Sequence, residues 1–321
     1  MPLFDMPIAQ LRSYDPQNIA PDDFTSFWQT TLSEAGRIPI AAEFTPVDTG
    51  LQLIETFDVS YAGFGGDMIR GWLHLPVHRS GRLPVVVQYV GYGGGRGLPH
   101  ENVLWAMAGY AHFVMDTRGQ GSSWSVGATE DRSASGPAYP GYMTRGIANP
   151  ADYYYRRLFT DAVRAVDAAH SHQDVDPSRT FVEGMSQGGG LALAVAGLRS
   201  DLAGVMADVP FLSDFPRAVE ITDRDPYVEV AKYLKTHRDQ LETVFHTLSY
   251  FDVSILVRTA TAPALVSVAM MDETCPPSTV FAAYNAYPAE REMRIYHFND
   301  HEGGGALHEQ AKLAWLVERL K

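Results

Sequence analysis

The chain of 321 residues contains a single cysteine, Cys275. One thiol cannot form a disulfide within the chain, and it cannot supply a cysteine-rich zinc site. Basic residues are also scarce, because 25 lysines and arginines stand against 38 aspartates and glutamates, and the formal net charge is −13. Surfaces that bind nucleic acid need an excess of positive charge to neutralise phosphates, so we do not expect nucleic acid as a partner.

Long apolar runs and targeting signals are absent as well. No stretch approaches the ~18 consecutive apolar residues of a membrane-spanning helix. The first residues, MPLFDMPIAQLRSYDP, place Asp5 and Pro7 where a secretory signal would need a basic start and an apolar run. No Asn-x-Ser/Thr site for N-glycosylation occurs. We therefore expect a cytoplasmic protein without a membrane partner.

Hydrophobic residues, in contrast, make up 45% of the chain, which is enough for one large core. From residue 84 onward, short β-rich runs alternate with segments of helical length. The predicted strands cover 85–90, 111–116, 180–183, 204–209, 263–268 and 293–298, and the predicted helices cover 100–109, 152–172, 188–199, 275–288 and 305–320. Near-continuous apolar strands separated by helices predict an α/β fold, a mostly parallel central sheet with helices on both faces.

The chain before this alternating region has a different pattern. Residues 1–45 predict loops and one helix, over 22–34, and form an N-terminal extension. The runs 51–61 and 68–75 are separated by the turn-prone segment 63–66, and they predict an antiparallel hairpin.

Two connections between predicted strands are longer than a simple crossover requires. Residues 117–151 are rich in Gly, Ser, Pro and Tyr, and loops of this length usually carry function or form an interface. Residues 210–262 contain helical segments and predict a helical cap inserted between two strands. We therefore expect residues 1–321 to form one domain with this cap insertion.

The segment Gly184-Met-Ser-Gln-Gly188 matches the pattern G-x-S-x-G. The pattern alone is weak evidence, but here it follows a predicted strand and opens the predicted helix 188–199. In this setting a sharp turn lifts the serine oxygen above the sheet, and small residues on both sides relieve the crowded backbone. Ser186 is the predicted nucleophile; the alternative is a glycine-rich join between strand and helix with a spectator serine.

A nucleophilic serine needs a base to take its proton and an acid to orient the base. In parallel α/β sheets the site lies beyond the carboxyl ends of the strands. Asp272 follows the strand predicted over 263–268, and His301 follows the next strand in the chain. The order Ser, Asp, His is that of hydrolases built on such a sheet, so these residues are the predicted acid and base.

Four neighbouring residues compete for these roles and fit them less well. Asp300 adjoins His301 and is typical of a turn, and Glu273 faces away from Asp272 in an extended backbone. His297 lies within a predicted strand and His308 on a predicted helix.

An oxyanion hole needs backbone N–H groups beside the nucleophile. Gln187, directly after the serine, is one predicted donor, and Tyr92 in the glycine-rich loop 90–97 is the other. That loop contains no G-x-G-x-x-G, and the chain contains no G-x-x-x-x-G-K-[ST] or H-E-x-x-H. We therefore expect neither a metal nor an organic cofactor, and Cys275 is interpreted as a packed side chain.

Three separated motifs give the chain a family likeness. Arg118-Gly-Gln-Gly121, Gly184-x-Ser-Gln-Gly188 and His301-Glu302 together resemble the signature of carbohydrate esterase family 7, the acetyl xylan esterases and cephalosporin-C deacetylases. The resemblance covers most of the chain and includes Gly91-Tyr-Gly-Gly-Gly-Arg-Gly97, Tyr153-Tyr-Tyr-Arg-Arg157, Thr247-Leu-Ser-Tyr-Phe-Asp252, Cys275-Pro-Pro-Ser-Thr-Val-Phe-Ala-Ala-Tyr284 and the glycines after His301.

This resemblance implies an α/β-hydrolase fold that removes acetyl groups from xylo-oligosaccharides and from cephalosporin-type esters. It implies the same roles for Ser186, Asp272, His301, Tyr92 and Gln187 as those drawn from the residues. It also implies a homohexamer built as a trimer of dimers. 

Three further expectations accompany the resemblance. Arg118 braces the loops of the site by hydrogen bonds; its alternative is an exposed arginine on a tight turn. Val90 stands where many α/β-hydrolases have histidine, which is a departure from the broader pattern. Residues 124–132 and 223–235 shape access to the site.

Two other classes of function remain open from the sequence alone. A related hydrolase could act on another small ester, a lactone or a peptide. Dienelactone hydrolases, however, usually have cysteine in place of the nucleophilic serine, and a shorter chain. Enzymes similar to prolyl peptidases carry an additional domain that this chain lacks. A non-catalytic binding protein on the same fold would lack one of the three residues Ser, Asp and His, or would have an obstructed turn at the serine.

Overall fold

A nine-stranded sheet runs through the part of the chain that the computed structural model describes, residues 3–133 and 136–321. The strands are β1 (Glu43–Val47), β2 (Ile54–Ala62), β3 (Met68–Pro76), β4 (Leu83–Tyr89), β5 (Ala111–Met115), β6 (Val175–Met185), β7 (Gly204–Asp208), β8 (Ala264–Ala269) and β9 (Arg291–Tyr296). They lie in the order β1-β2-β3-β5-β4-β6-β7-β8-β9. The pairs β1–β2, β2–β3 and β3–β5 are antiparallel. All the other neighbouring pairs, from β5–β4 to β8–β9, are parallel.

Helices cover both faces of this sheet. They are α1 (Ile8–Leu11), α2 (Phe24–Gly36), α3 (Leu104–Met107), α4 (Tyr154–His170), α5 (Gln187–Leu198), α6 (Phe215–Ile221), α7 (Val228–Thr236), α8 (Leu241–Ser249), α9 (Val253–Leu256), α10 (Pro277–Ala286) and α11 (Gly305–Arg319). Successive residues of a strand point to opposite faces. Val85 and Val87 accordingly belong to the large core with α4 and α5, whereas Val86 packs in a smaller core with Trp105 of α3 and Trp315 of α11. The predicted α/β architecture with two covered faces is therefore confirmed.

The antiparallel hairpin predicted before residue 84 is present as β2 and β3. Its turn, residues 63–66, is fixed by the Phe64 N–H, which donates to Asp161 Oδ1 of α4 at 2.8 Å. The sequence did not predict β1, which begins in the expected loop extension and ends two residues beyond it. This edge strand contains Pro46 and is exposed or half-buried throughout, so it lacks the alternation that identifies a half-buried strand.

Other boundaries also differ from the prediction. The helix expected over 100–109 is only the four-residue α3. Strand β6 begins at Val175 rather than at the predicted residue 180. The prediction missed its first residues because they are polar and typical of turns, and therefore lack a strand pattern. The helical segments expected in residues 210–262 are the four helices α6, α7, α8 and α9.

The N-terminal extension packs against this 210–262 segment. The Tyr14 hydroxyl donates to Asp214 Oδ2 at 2.8 Å, and the Asn18 amide donates to Asp214 Oδ1 and to Asp252 Oδ2 at 3.1 and 3.3 Å. These contacts join the N-terminal extension to the residues that precede α6 and α9. Residues 1–2 of the extension, and residues 134–135 of the long connection after β5, lie outside the described residues. No helix in the described ranges combines the length and the apolar character needed to cross a membrane.

Candidate active site

Ser186 occupies a strained turn between β6 and α5. Its backbone dihedrals are φ 58° and ψ −120°, which non-glycine residues rarely adopt. The neighbouring glycines explain how the turn fits: a β-carbon on Gly184 would lie 2.4 Å from the backbone of Gly188, and one on Gly188 would lie 2.1 Å from the Tyr89 carbonyl oxygen. The turn therefore has the geometry expected of a nucleophile elbow.

The structure brings the three residues of the predicted triad together. The Ser186 hydroxyl lies 2.9 Å from His301 Nε2, and His301 Nδ1 lies 2.8 Å from Asp272 Oδ2. Asp272 is fully buried, and its other carboxylate oxygen accepts the N–H groups of Thr274 and Cys275 at 2.8 Å each. The carboxylate is therefore held on both oxygens, and it orients the imidazole so that Nε2 can take the serine proton.

The residues that competed for these roles are placed elsewhere. Asp300 Oδ1 accepts the His301 N–H at 2.9 Å, as a turn residue does, and Glu273 forms an ion pair with Arg224 at 2.6 Å. His308 is buried and uses both ring nitrogens, on Asp208 and on Tyr296. His297 is exposed and directly follows the last residue of β9.

The two predicted oxyanion donors lie next to the serine. Gln187 is the first residue of α5, and Tyr92 lines the same cavity as Ser186 and His301, a cavity of about 390 Å³. Within residues 3–133 and 136–321 the backbone N–H groups of Tyr92 and Gln187 donate to no acceptor. Both donors are thus available for an oxygen that develops negative charge.

This cavity, here called the serine cavity, has walls from several loops. Its lining residues are Gly91, Tyr92, Trp124, Met185, Ser186, Asp225, Pro226, Thr274 and His301. Trp124, Asp225 and Pro226 come from the two segments that were predicted to shape access. Met185 and Thr274 were not singled out in the sequence, although each is within two residues of a predicted triad member.

Comparison with known proteins decides what this arrangement belongs to. Residues 1–319 match the model of the acetyl xylan esterase (AXE1) family. The chain belongs to the acetyl xylan esterase family. The resemblance to carbohydrate esterase family 7 is therefore confirmed, and the enzyme is a carboxylic ester hydrolase with an α/β-hydrolase fold.

Individual relatives agree with this assignment. The solved structure of the acetyl xylan esterase from Paenibacillus sp. R4 is 41% identical, with a TM-score of 0.92 over 98% of this chain and 99% of that one. The acetyl xylan esterase 1 from Thermoanaerobacterium sp. JW/SL YS485 is 30% identical, with a TM-score of 0.91 over 99% of this chain and 100% of that one. The acetyl esterase Axe7A of Xylanibacter ruminicola is 27% identical over 315 residues, which are 95% of this chain and 69% of that protein.

In this esterase Arg118 is fully buried and joins three parts of the fold. Its guanidinium donates to Asp161 of α4 at 2.5 and 2.8 Å, to Asp67 after the hairpin turn at 3.0 Å, and to Asp131 at 3.4 Å. The bracing role expected of Arg118 is thus what the structure shows, and the exposed alternative is wrong. Burial would lower the pKa of Arg118, but the surrounding carboxylates outweigh it and raise that pKa.

Gln120, in the same motif, links the glycine-rich loop to Gln187. Its Oε1 accepts the Gly93 N–H at 2.7 Å, and its Nε2 donates to Gln187 Oε1 at 3.0 Å. The Gln187 amide in turn donates to the Val90 carbonyl at 3.2 Å. The side chain of Gln187 therefore holds the glycine-rich loop, a role that the sequence did not assign to it.

Tyr92 is held by a carboxyl group that the sequence did not single out. Its hydroxyl donates to Glu229 Oε1 at 2.6 Å and accepts the Tyr142 N–H at 2.6 Å, and Glu229 Oε2 accepts the Met143 N–H at 3.0 Å. Burial raises the pKa of Glu229 to about 7, against the hydrogen bond from Tyr92, which lowers it. Burial and the Glu229 carboxylate together raise the pKa of Tyr92, so its hydroxyl remains a donor.

Asp272, Cys275 and His301 are the one group in the described chain whose ligand atoms approach closely enough to hold a metal ion, all within 4.8 Å of one another. Burial and the Asp272 carboxylate raise the pKa of the Cys275 thiol, which opposes the thiolate that a metal requires. The Asp272 oxygens are already occupied by His301 and two backbone N–H groups. These donors fit a hydrogen-bonded triad better than a metal centre.

Proposed function

We propose that this enzyme hydrolyses acetyl esters through an acyl-enzyme on Ser186, with His301 as the base and Asp272 as the orienting acid. The observation that carries the proposal is the continuous chain of hydrogen bonds from Asp272 through His301 to Ser186, at 2.8 and 2.9 Å. Membership of the acetyl xylan esterase family supports acetylated xylo-oligosaccharides as substrates. The resemblance to carbohydrate esterase family 7 adds cephalosporin-type acetoxymethyl esters as a second class.

In the first half of the reaction, Ser186 Oγ forms a bond to the acetyl carbonyl carbon while its proton passes to His301 Nε2. The N–H groups of Tyr92 and Gln187 donate hydrogen bonds to the carbonyl oxygen, on which negative charge develops, and one such donor is worth about 3 kcal/mol. The carbon–oxygen bond to the alcohol then breaks, and the alcohol leaves with the proton from His301.

In the second half, a water molecule gives a proton to His301 and attacks the acetyl carbon. The bond to Ser186 Oγ breaks, acetate is released, and the proton returns from His301 to the serine. Asp272 holds His301 in the tautomer and orientation that both halves need. None of these steps calls on a group from outside the chain except water.

The test compares p-nitrophenyl acetate, butyrate and octanoate as substrates of the wild type and Ser186→Ala. We expect the acetate to be the best substrate and the substitution to lower its kcat by at least about 10⁴-fold. Ser178→Ala, an exposed serine on the same strand β6, is the matched control and retains full activity. Undiminished turnover by Ser186→Ala would end the nucleophile assignment, whereas a preference for octanoate would overturn the acetyl specificity and leave the triad intact.

We also propose that the enzyme is a homohexamer, a trimer of dimers. What supports this is the resemblance of its three sequence motifs to carbohydrate esterase family 7, which implies that assembly. Light scattering from a chain of 35.4 kDa separates the possibilities directly. A mass near that of the single chain contradicts the hexamer.

A further inference from the structure

A second cavity, of about 240 Å³, lies beside the serine cavity. Gly91, Trp124 and Met185 line both, so these residues are the partition between the two. The remaining walls come from β4, β6, β7, α11 and the turn before α11, and they include Gln88, Glu183, Asp208, Glu302, Glu309 and Lys312. We call it the α11 cavity. The proposed reaction assigns it no role.

One wall of the α11 cavity is a fixed aromatic ring. The side chain of Trp124 is 63% exposed, although a tryptophan is usually well buried. It is nevertheless held in place: its Nε1–H donates to the Tyr92 carbonyl at 2.8 Å, and a β-carbon on Gly94 would lie 2.4 Å from its ring. An apolar face kept rigid at the mouth of two cavities is a surface for a ligand to cover.

The other walls offer hydrogen-bonding groups that the protein leaves unused. Gln88 Oε1 accepts from His112, but the Gln88 amide N–H groups donate to no acceptor in the described chain. Lys312 donates to Glu183 at 2.8 Å and to Asp208 at 2.7 Å, which leaves one of its three N–H groups. The Glu309 carboxylate, exposed on α11, accepts no hydrogen bond from a described residue.

The charge of the walls narrows the class of ligand. Four carboxylates and one ammonium group line the α11 cavity: Glu183, Asp208, Glu302, Glu309 and Lys312. An anion would be repelled there. A neutral molecule that both donates and accepts hydrogen bonds around its edge, and that presents C–H groups on one face to an aromatic ring, matches the walls. Pyranose rings have this composition.

We propose that the α11 cavity binds the sugar ring of the leaving alcohol, stacked on Trp124, while the acetyl group occupies the serine cavity. The inference rests on the proposed function, since a sugar ester must place its carbonyl at Ser186. The volume of the α11 cavity equals that of about eight water molecules in the liquid, which is sufficient for one pyranose ring. Sugar selectivity then arises on the Met185 side of the serine, and acyl selectivity on the Pro226 side.

The first test changes Glu309, which lines the α11 cavity but not the serine cavity. Glu309→Trp fills the mouth, and we expect kcat/KM for acetylated xylo-oligosaccharides to fall at least about tenfold; Glu309→Ala removes one acceptor and lowers it about threefold. Turnover of p-nitrophenyl acetate, which has no sugar ring, stays within about twofold of the wild type. The matched control is Gln310→Ala, the next exposed residue of α11. Equal losses on both substrates, or no loss on either, would overturn the proposal.

A binding measurement separates this inference from the proposed function. Calorimetry with unacetylated xylotriose uses Ser186→Ala and the double variant Ser186→Ala/Glu309→Trp, so no turnover is involved. Binding by the first and at least about tenfold weaker binding by the second supports the sugar site, even if the wild type failed to cleave sugar acetates. Absence of xylotriose binding by Ser186→Ala overturns the sugar site, even if the wild type cleaves p-nitrophenyl acetate.

Discussion

At the scale of single residues, the hydrogen bond between Tyr92 and Glu229 connects a proposed oxyanion donor to helix α7. The Tyr92 hydroxyl donates to the Glu229 carboxylate at 2.6 Å, and the Tyr92 backbone is the proposed oxyanion donor. Glu229→Gln keeps the shape but replaces a charged acceptor with a weaker neutral one. We expect kcat for p-nitrophenyl acetate at pH 8 to fall about threefold to tenfold with KM little changed, because the substitution weakens stabilisation of the transition state and not substrate binding.

The pH dependence of this effect identifies Glu229 as its source. Because burial raises the pKa of Glu229 to about 7, the wild-type carboxyl is protonated below neutral pH and then resembles the glutamine. The ratio of variant to wild-type kcat therefore rises toward one between pH 8 and pH 6. Glu242→Gln, an exposed position on α8, is the control and shows no such change. A ratio that is constant with pH contradicts this role of the charge.

At the scale of elements, the contact of α5 with β4 leaves no room for a side chain at Gly188. Since a β-carbon there would lie 2.1 Å from the Tyr89 carbonyl, Gly188→Ala must displace the backbone of one element. We expect the free energy of unfolding to fall by about 3 kcal/mol, measured by urea denaturation. Gly36→Ala, at the end of α2 with no atom within 4 Å, is the matched control and is neutral or slightly stabilising. Equal midpoints for the two variants would contradict the close packing.

The same contrast between buried and exposed elements explains how much of the fold the sequence predicts. Strands β4, β7 and β8 are almost wholly buried, and their apolar runs located them to within two residues. Strand β1, with no buried residue, was missed, and the polar start of β6 was taken for a loop. Hydrophobic pattern therefore locates buried strands best. Strand β9, which has no buried residue, was still located to within two residues because Met293 and Ile295 alternate with polar side chains.

At the scale of the whole molecule, the site was predictable where chain order and sheet topology restrict it. Ser186, Asp272 and His301 each follow a strand, and parallel strands bring their carboxyl ends to one edge. The bond from Tyr92 to Glu229, in contrast, spans 137 residues and joins a loop to an inserted helix. No local pattern encodes such a pair, because its geometry depends on how the 210–262 segment folds over the sheet.

Two buried histidines make the stability of the whole sheet depend on pH. His74 of β3 and His112 of β5 are paired in register, and their rings lie 5.9 Å apart. Burial lowers the pKa of His74 to about 4, and burial together with the neighbouring His74 lowers that of His112. Among the described residues His74 Nε2 and His112 Nδ1 have no hydrogen-bond partner, so each charged ring would bury one N–H group without an acceptor.

The sign of the effect follows from these directions. Between pH 6.5 and pH 4 the unfolded chain binds a proton at residue 74 and the folded chain does not, so stability is lost as the pH falls. A shift of this size is worth about 3 kcal/mol.

His74→Asn cannot titrate and retains a group that can bond the Thr56 hydroxyl, as His74 Nδ1 does at 3.0 Å. We expect the variant to lose about 3 kcal/mol less than the wild type between pH 7 and pH 4, measured by urea denaturation at both values. His78→Asn, an exposed histidine at the end of the same hairpin, follows the wild type, and identical pH slopes for all three proteins would show that the buried pair remains uncoupled from folding.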